Sequence, residues 1–217
     1  MTRVKICGLT NEGDLETAVD AGADAVGVIT DVPVETPREV SVDRATELLE
    51  TVPPFATSVL VTMPESADHA AELVDAIGPN VLQIHGEFAV DELVDLRERI
   101  DRGLVLAVDA TGASEATQYD DVVDAFLVDT PAEDGGGGTG RTHDWSRTQT
   151  ATAALESPVV LAGGLTPENV DAAIDAADPF AVDVASGVEA EGGIKDADAV
   201  RSFVERAKNA HRAEVSP

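Results

Sequence analysis

Two glycine-bearing stretches late in the chain have the composition of an anion cradle. Ala162-Gly163-Gly164-Leu165-Thr166-Pro167 and Ala185-Ser186-Gly187-Val188 each follow a short apolar run. Glycine lets backbone N–H groups come close to a phosphate, although either stretch alone could be no more than a tight turn. Early in the chain, Cys7 closes the apolar run Val4–Cys7 beside Gly8. A thiol with a pKa near ~8.5 works as a base at neutral pH where positive charge or amide dipoles lower it, and is otherwise a small buried hydrophobe. Asp129 closes another apolar run. It is either a helix cap or, held protonated by burial or by substrate charge, a general acid. A base and an acid facing each other across one mouth suit proton shuttling in an isomerisation.

Three further features belong with these. Arg38, in Thr36-Pro37-Arg38, is one of only 14 Lys and Arg residues. Its planar fork matches a carboxylate; the alternative is an ion pair with the abundant acids. His85, before Gly86, is a second base or a structural histidine bonded to a loop carbonyl. The run Gly135-Gly136-Gly137-Gly138 is either a flexible linker or a lid that closes over substrate and excludes water. It lacks the Gly-Lys-Ser/Thr ending of a P-loop. One cysteine rules out an internal disulfide and a cysteine-based metal cluster, and the four histidines form no HExxH pair, so no metal is expected.

The elements that must position these residues follow from alternation. β-branched runs at Val4–Cys7, Ala25–Ile29, Thr57–Val61, Val81–Ile84, Leu104–Val108, Phe126–Asp129, Val159–Ala162 and Ala181–Ala185 read as strands. Between and after them, amphipathic helices are predicted over Asn11–Ala21, Asp43–Thr51, Glu65–Ile77, Val90–Ile100, Ser114–Tyr119, Trp145–Leu155, Pro167–Ala176 and Asp196–Ala210. Eight strand–helix units in 217 residues, with no long linker, predict a single-domain (β/α)8 TIM barrel of parallel strands spanning 1–217. In that fold Cys7, Arg38, His85, Asp129 and both glycine loops lie at the carboxyl ends of strands. The loops after strands seven and eight are where such barrels commonly hold phosphate.

Charge narrows the partners. With 42 Asp and Glu the formal net charge is -28, which repels nucleic acid and anionic lipid. The acids are scattered along helices rather than blocked in a tail, which suits a molar-salt environment where the Debye length is ~3 Å. No apolar run approaches the ~20 residues of a membrane span, and Met1–Lys5 lacks a signal-peptide core, so the expected location is the cytoplasm. The expected assembly is a monomer or a homodimer.

Taken together, Lys5-Ile6-Cys7-Gly8-Leu9-Thr10, Leu82-Gln83-Ile84-His85-Gly86-Glu87, Leu127-Val128-Asp129 with Gly137-Gly138-Thr139-Gly140 and Asp144-Trp145, Leu161–Val170, and Val182–Glu189 with Gly193-Ile194-Lys195-Asp196 resemble the phosphoribosylanthranilate isomerases of tryptophan biosynthesis. The resemblance implies a cofactor-free Amadori rearrangement of a small phosphorylated, carboxylated substrate. It implies Asp129 as general acid at the ribose ring oxygen and Cys7 as general base at C2. It implies Arg38 on the anthranilate carboxylate, amides around Gly163, Gly164, Ser186 and Gly187 on the phosphate, and Asp183 orienting substrate in the same mouth. Ala185 and Thr36 stand where the family usually has serine. Two other readings are an indole-forming synthase, for which Lys5 is the only strand-end lysine, and a barrel that binds phosphorylated ligands without catalysis, which would not require the Cys7–Asp129 pair.

Overall fold

The computed structural model describes residues 1–110, 112–129 and 145–210. Eight parallel strands close into a barrel: β1 (Arg3–Ile6), β2 (Ala25–Ile29), β3 (Thr57–Thr62), β4 (Val81–His85), β5 (Gly103–Asp109), β6 (Ala125–Asp129), β7 (Val159–Ala162) and β8 (Ala181–Val184). Each strand pairs with its sequence neighbours, and β8 returns to β1 with Lys5 opposite Asp183. The helices are α1 (Glu12–Asp20), α2 (Val42–Glu50), α3 (Ala67–Ile77), α4 (Val90–Arg99), α5 (Trp145–Thr152), α6 (Val170–Ala177) and α7 (Ala197–Asn209). Among the described residues no helix is long and apolar enough to cross a membrane.

Alternation along the strands sorts the side chains into two layers. Ile6, Val26, Val28, Leu60, Leu82, Ile84, Leu104, Phe126, Leu161 and Val182 point outward and are fully buried under the helices, in one continuous apolar layer. Each such side chain contributes about 1.5–3 kcal/mol by leaving water. The intervening positions face the barrel axis, where Cys7, Val59 and Val61 form a small apolar cluster.

Side chains cap two of the helices: Asn11 accepts from Asp14 N at 2.9 Å and Ser41 from Arg44 N at 3.2 Å. Three elements differ from the sequence reading. The segment after β5 is a 3-10 helix, Ala113–Tyr119. α6 starts at Val170 rather than Pro167, because Asn169 folds Gly164–Asn169 into a turn: it accepts from Thr166 N at 2.8 Å and donates to Gly164 O at 2.9 Å. A hairpin absent from the sequence reading follows β8, formed by β9 (Glu189–Glu191) and β10 (Ile194–Lys195). The predicted glycine lid, Gly135–Gly138, lies outside the described residues.

Candidate active site

The inner wall of the mouth begins at β1. Cys7 extends the β1–β8 ladder by one bond, its N–H donating to Val184 O at 2.8 Å, and its thiol is buried. Lys5, two residues earlier on the same strand face, is also buried, and its ammonium donates to Asp183 Oδ2 at 2.9 Å. A methyl group added to Gly27 on β2 would lie 3.0 Å from Cys7 Sγ and 3.3 Å from Lys5 Nζ. Thiol and ammonium therefore crowd the same spot, and the missing side chain at Gly27 gives them room. Burial pushes the thiol pKa up, and the Lys5 ammonium opposes that rise. Burial would push the ammonium down, but Asp183 and Cys7 outweigh it and hold Lys5 above its ordinary value.

Asp183 stands on β8 opposite Lys5. It is 8% exposed, one oxygen is committed to Lys5, and Oδ1 has no partner among the described residues. His85, at the end of β4, lies 2.7 Å through Nε2 from the side-chain amide nitrogen of Gln83, not from a loop carbonyl. With that amide donating, the imidazole accepts and is neutral. Burial, and then the nearby Lys5 ammonium, hold its pKa below the ordinary value.

The two glycine loops lie side by side. Gly163 and Gly164 adopt positive φ angles of 87° and 62°, a region that favours glycine. Gly187, in a 3-10 turn over Ser186–Val188, packs so tightly on the first loop that a Cβ there would meet Leu165 O at 1.8 Å. Only glycine permits that contact, so each loop fixes the position of the other.

Arg38 is not free to meet an anion with its whole fork. Its Nε and Nη2 donate to Glu189 Oε1 and Oε2 at 2.8 and 2.7 Å. Sequence reading gave Glu189 no role, because its partner lies 151 residues away. Glu189 also accepts from Lys195 Nζ at 2.8 Å. Burial would raise its carboxyl pKa, but the bonds from Arg38 and Lys195 bring it below the ordinary value. All three lysines are thus committed to acids, since Lys208 pairs with Asp24 at 3.1 Å. Asp129 is exposed at the end of β6, in register with Asp109 on β5. No group of three potential metal ligands occurs among the described residues.

A closed parallel barrel with a thiol, a carboxylate and two interlocked glycine turns at its strand ends defines a (β/α)8-barrel enzyme. Comparison with known proteins gives the particular family: residues 4–206 match N-(5'-phosphoribosyl)anthranilate (PRA) isomerase, and the chain belongs to it. The N-(5'-phosphoribosyl)anthranilate isomerase of Haloferax volcanii is 57% identical over 98% of this chain and 96% of its own. That of Halobacterium salinarum is 57% identical over 95% and 96%. Both organisms are halophilic archaea. Among solved structures, phosphoribosyl anthranilate isomerase from Thermotoga maritima superposes with a TM-score of 0.85 at 37% identity, covering 96% of this chain and 100% of that one. A further isomerase, solved with reduced 1-(o-carboxyphenylamino)-1-deoxyribulose 5-phosphate, gives 0.82 at 35% over the same shares.

Proposed function

We propose that this chain isomerises N-(5'-phosphoribosyl)anthranilate to 1-(o-carboxyphenylamino)-1-deoxyribulose 5-phosphate in tryptophan biosynthesis, with Asp129 as general acid and Cys7 as general base. The observation that carries the assignment is the Cys7 thiol, held against a buried ammonium at the strand end that opens onto the mouth.

Asp129 gives its proton to the ribose ring oxygen. The C1–O bond breaks as the anilino nitrogen lone pair forms C1=N, leaving an open-chain iminium. Cys7, as thiolate, removes the C2 proton, and the C2–H electrons form C1=C2 while the C=N pair returns to nitrogen. The enolamine then loses its O2 proton and gains one at C1, which yields the ketone. No atom is gained or lost, so the reaction needs only groups that move protons. Lys5 serves as counter-ion to the thiolate, and Asp183 keeps Lys5 charged and in place.

Recognition is divided around the mouth. Amides of Gly163, Gly164, Ser186 and Gly187 take the phosphate, and Arg38 takes the anthranilate carboxylate with the part of its fork that Glu189 leaves open. His85, neutral, offers a hydrogen bond to the substrate. The protein works in the cytoplasm, as a monomer or homodimer, without nucleic acid or membrane. The test is to follow loss of phosphoribosylanthranilate fluorescence with the purified protein in molar salt. No turnover above the uncatalysed rate would refute the assignment.

A further inference from the structure

We propose that Glu189 and Lys195, at the two ends of the β9–β10 hairpin, are positioning residues that aim Arg38 at the substrate carboxylate. This rests on the assignment of that carboxylate to Arg38 and extends it to two residues outside the reacting centre.

A guanidinium has five N–H donors in one plane. Glu189 takes one from Nε and one from Nη2, which fixes that plane. The edge formed by Nη1 and the second Nη2 hydrogen is left, and Nη1 has no partner among the described residues. That edge can take a second carboxylate as a bidentate pair. Glu189 is itself held: Oε1 also accepts from Lys195 Nζ, whose other contact is Ala185 O at 3.0 Å. The side chains of Glu189 and Lys195 are 5% and 0% exposed, against 24% for Arg38. The outermost member of the cluster is therefore the one left to meet a ligand.

Charge supports the same reading. Arg38 and Glu189 alone would cancel. Lys195 restores one net positive charge, in a chain whose formal charge is -28. The backbone completes the clamp. A Cβ on Gly193 would meet Pro37 O at 2.4 Å, and one on Gly8 would meet Arg38 Cδ at 2.7 Å. Thr10 Oγ1 donates to Gly193 O at 2.8 Å, and Lys195 N to Asp14 Oδ2 at 2.8 Å. The connections after β1, β2 and β8 thus interlock around the Arg38 stem.

The test uses two stable ligands in molar salt: the reduced o-carboxyphenylamino deoxyribulose phosphate and its counterpart with a plain phenyl ring. Binding of each is measured to the parent protein, Arg38→Met, Glu189→Gln and Glu189→Asp. Aspartate keeps the charge but retracts it by one methylene. Both Glu189 variants are expected to bind the carboxylated ligand about tenfold or more weakly, as loss of an aligned charged hydrogen bond implies, while the phenyl ligand changes less than about twofold. Unchanged or tighter binding of the carboxylated ligand would overturn the proposal, because glutamine raises the net positive charge and charge alone would then govern. Equal weakening of both ligands would overturn it too, as a merely structural effect. If Arg38→Met retains the preference for the carboxylated ligand, the assignment of the carboxylate to Arg38 is what fails, and the proposal falls with it.

Discussion

Lys5 and Asp183 are register partners on adjacent strands, joined by a 2.9 Å ion pair buried inside the barrel, and the paired ammonium rests against the thiol of Cys7. A buried pair of this kind is a poor device for stability alone, since desolvation offsets most of its attraction. Lys5→Met should therefore destabilise the fold by about 3–5 kcal/mol, by leaving Asp183 unpaired. Lys5→Met with Asp183→Leu should recover most of that loss but not activity. The charged groups around the thiol are Lys5 on its own strand, Asp183 on β8, Lys195 on the hairpin and Arg38 after β2. Without Lys5, alkylation of Cys7 by iodoacetamide should need a higher pH. An unshifted pH dependence of alkylation in the double variant would separate Lys5 from the thiol.

Cys7→Ala and Asp129→Asn should each lower kcat by about 10²–10⁴-fold, the range typical of general acid–base groups, with melting in molar salt unchanged. Near-normal turnover in either variant would remove its assigned role.

His85 makes a pH-dependent contribution whose sign follows from its environment. Burial and Lys5 depress its pKa below the ordinary value of 6.5. Above 6.5 both folded and unfolded chains carry neutral imidazole, and the contribution is constant. Below it the unfolded chain takes up a proton that the folded chain refuses, so stability is lost as the pH falls toward the folded pKa. Urea titrations should show His85→Asn losing less stability than the parent protein between pH 7 and pH 5. Parallel losses would mean that His85 is not held neutral.

At Gly187 a single methyl group would run into the Leu165 carbonyl. Gly187→Ala should cost at least about 2–3 kcal/mol, the upper range for overpacking, and should weaken competitive inhibition by inorganic phosphate. If inhibition by phosphate is unaltered, the two loops do not form its site.

The acid-coated surface should need salt. In dilute buffer the self-repulsion of a chain with formal charge -28 is unscreened, so the melting temperature should rise steeply as potassium chloride approaches molar concentration. A flat salt dependence would contradict this.

What the sequence revealed depended on the range over which each signal acts. The strands were legible because they are buried on both faces, so each reads as a short continuous apolar run such as Ala25–Ile29, and the helices between them were legible from their amphipathic patterning. Cys7 and Asp129 could be picked out because a barrel puts every strand end on one face. The partners were not legible. Lys5 meets Asp183 across 178 residues and Arg38 meets Glu189 across 151, contacts that exist only once β8 closes on β1. The β9–β10 hairpin escaped because its strands are only three and two residues long. Gly192-Gly193 between Glu191 and Ile194 was its one local signal, a two-residue turn suited to positive φ, which Gly193 adopts at 81°.

Because Lys5 and Lys195 are sealed inside and Lys208 is tied to Asp24, the exterior is almost devoid of primary amines. Open-chain sugar phosphates damage proteins by condensing with such amines. A molecule built this way offers them little beyond Lys208 and the amino terminus. Amine-directed dyes and crosslinkers meet the same shortage, so labels for this protein are better aimed at its plentiful carboxylates.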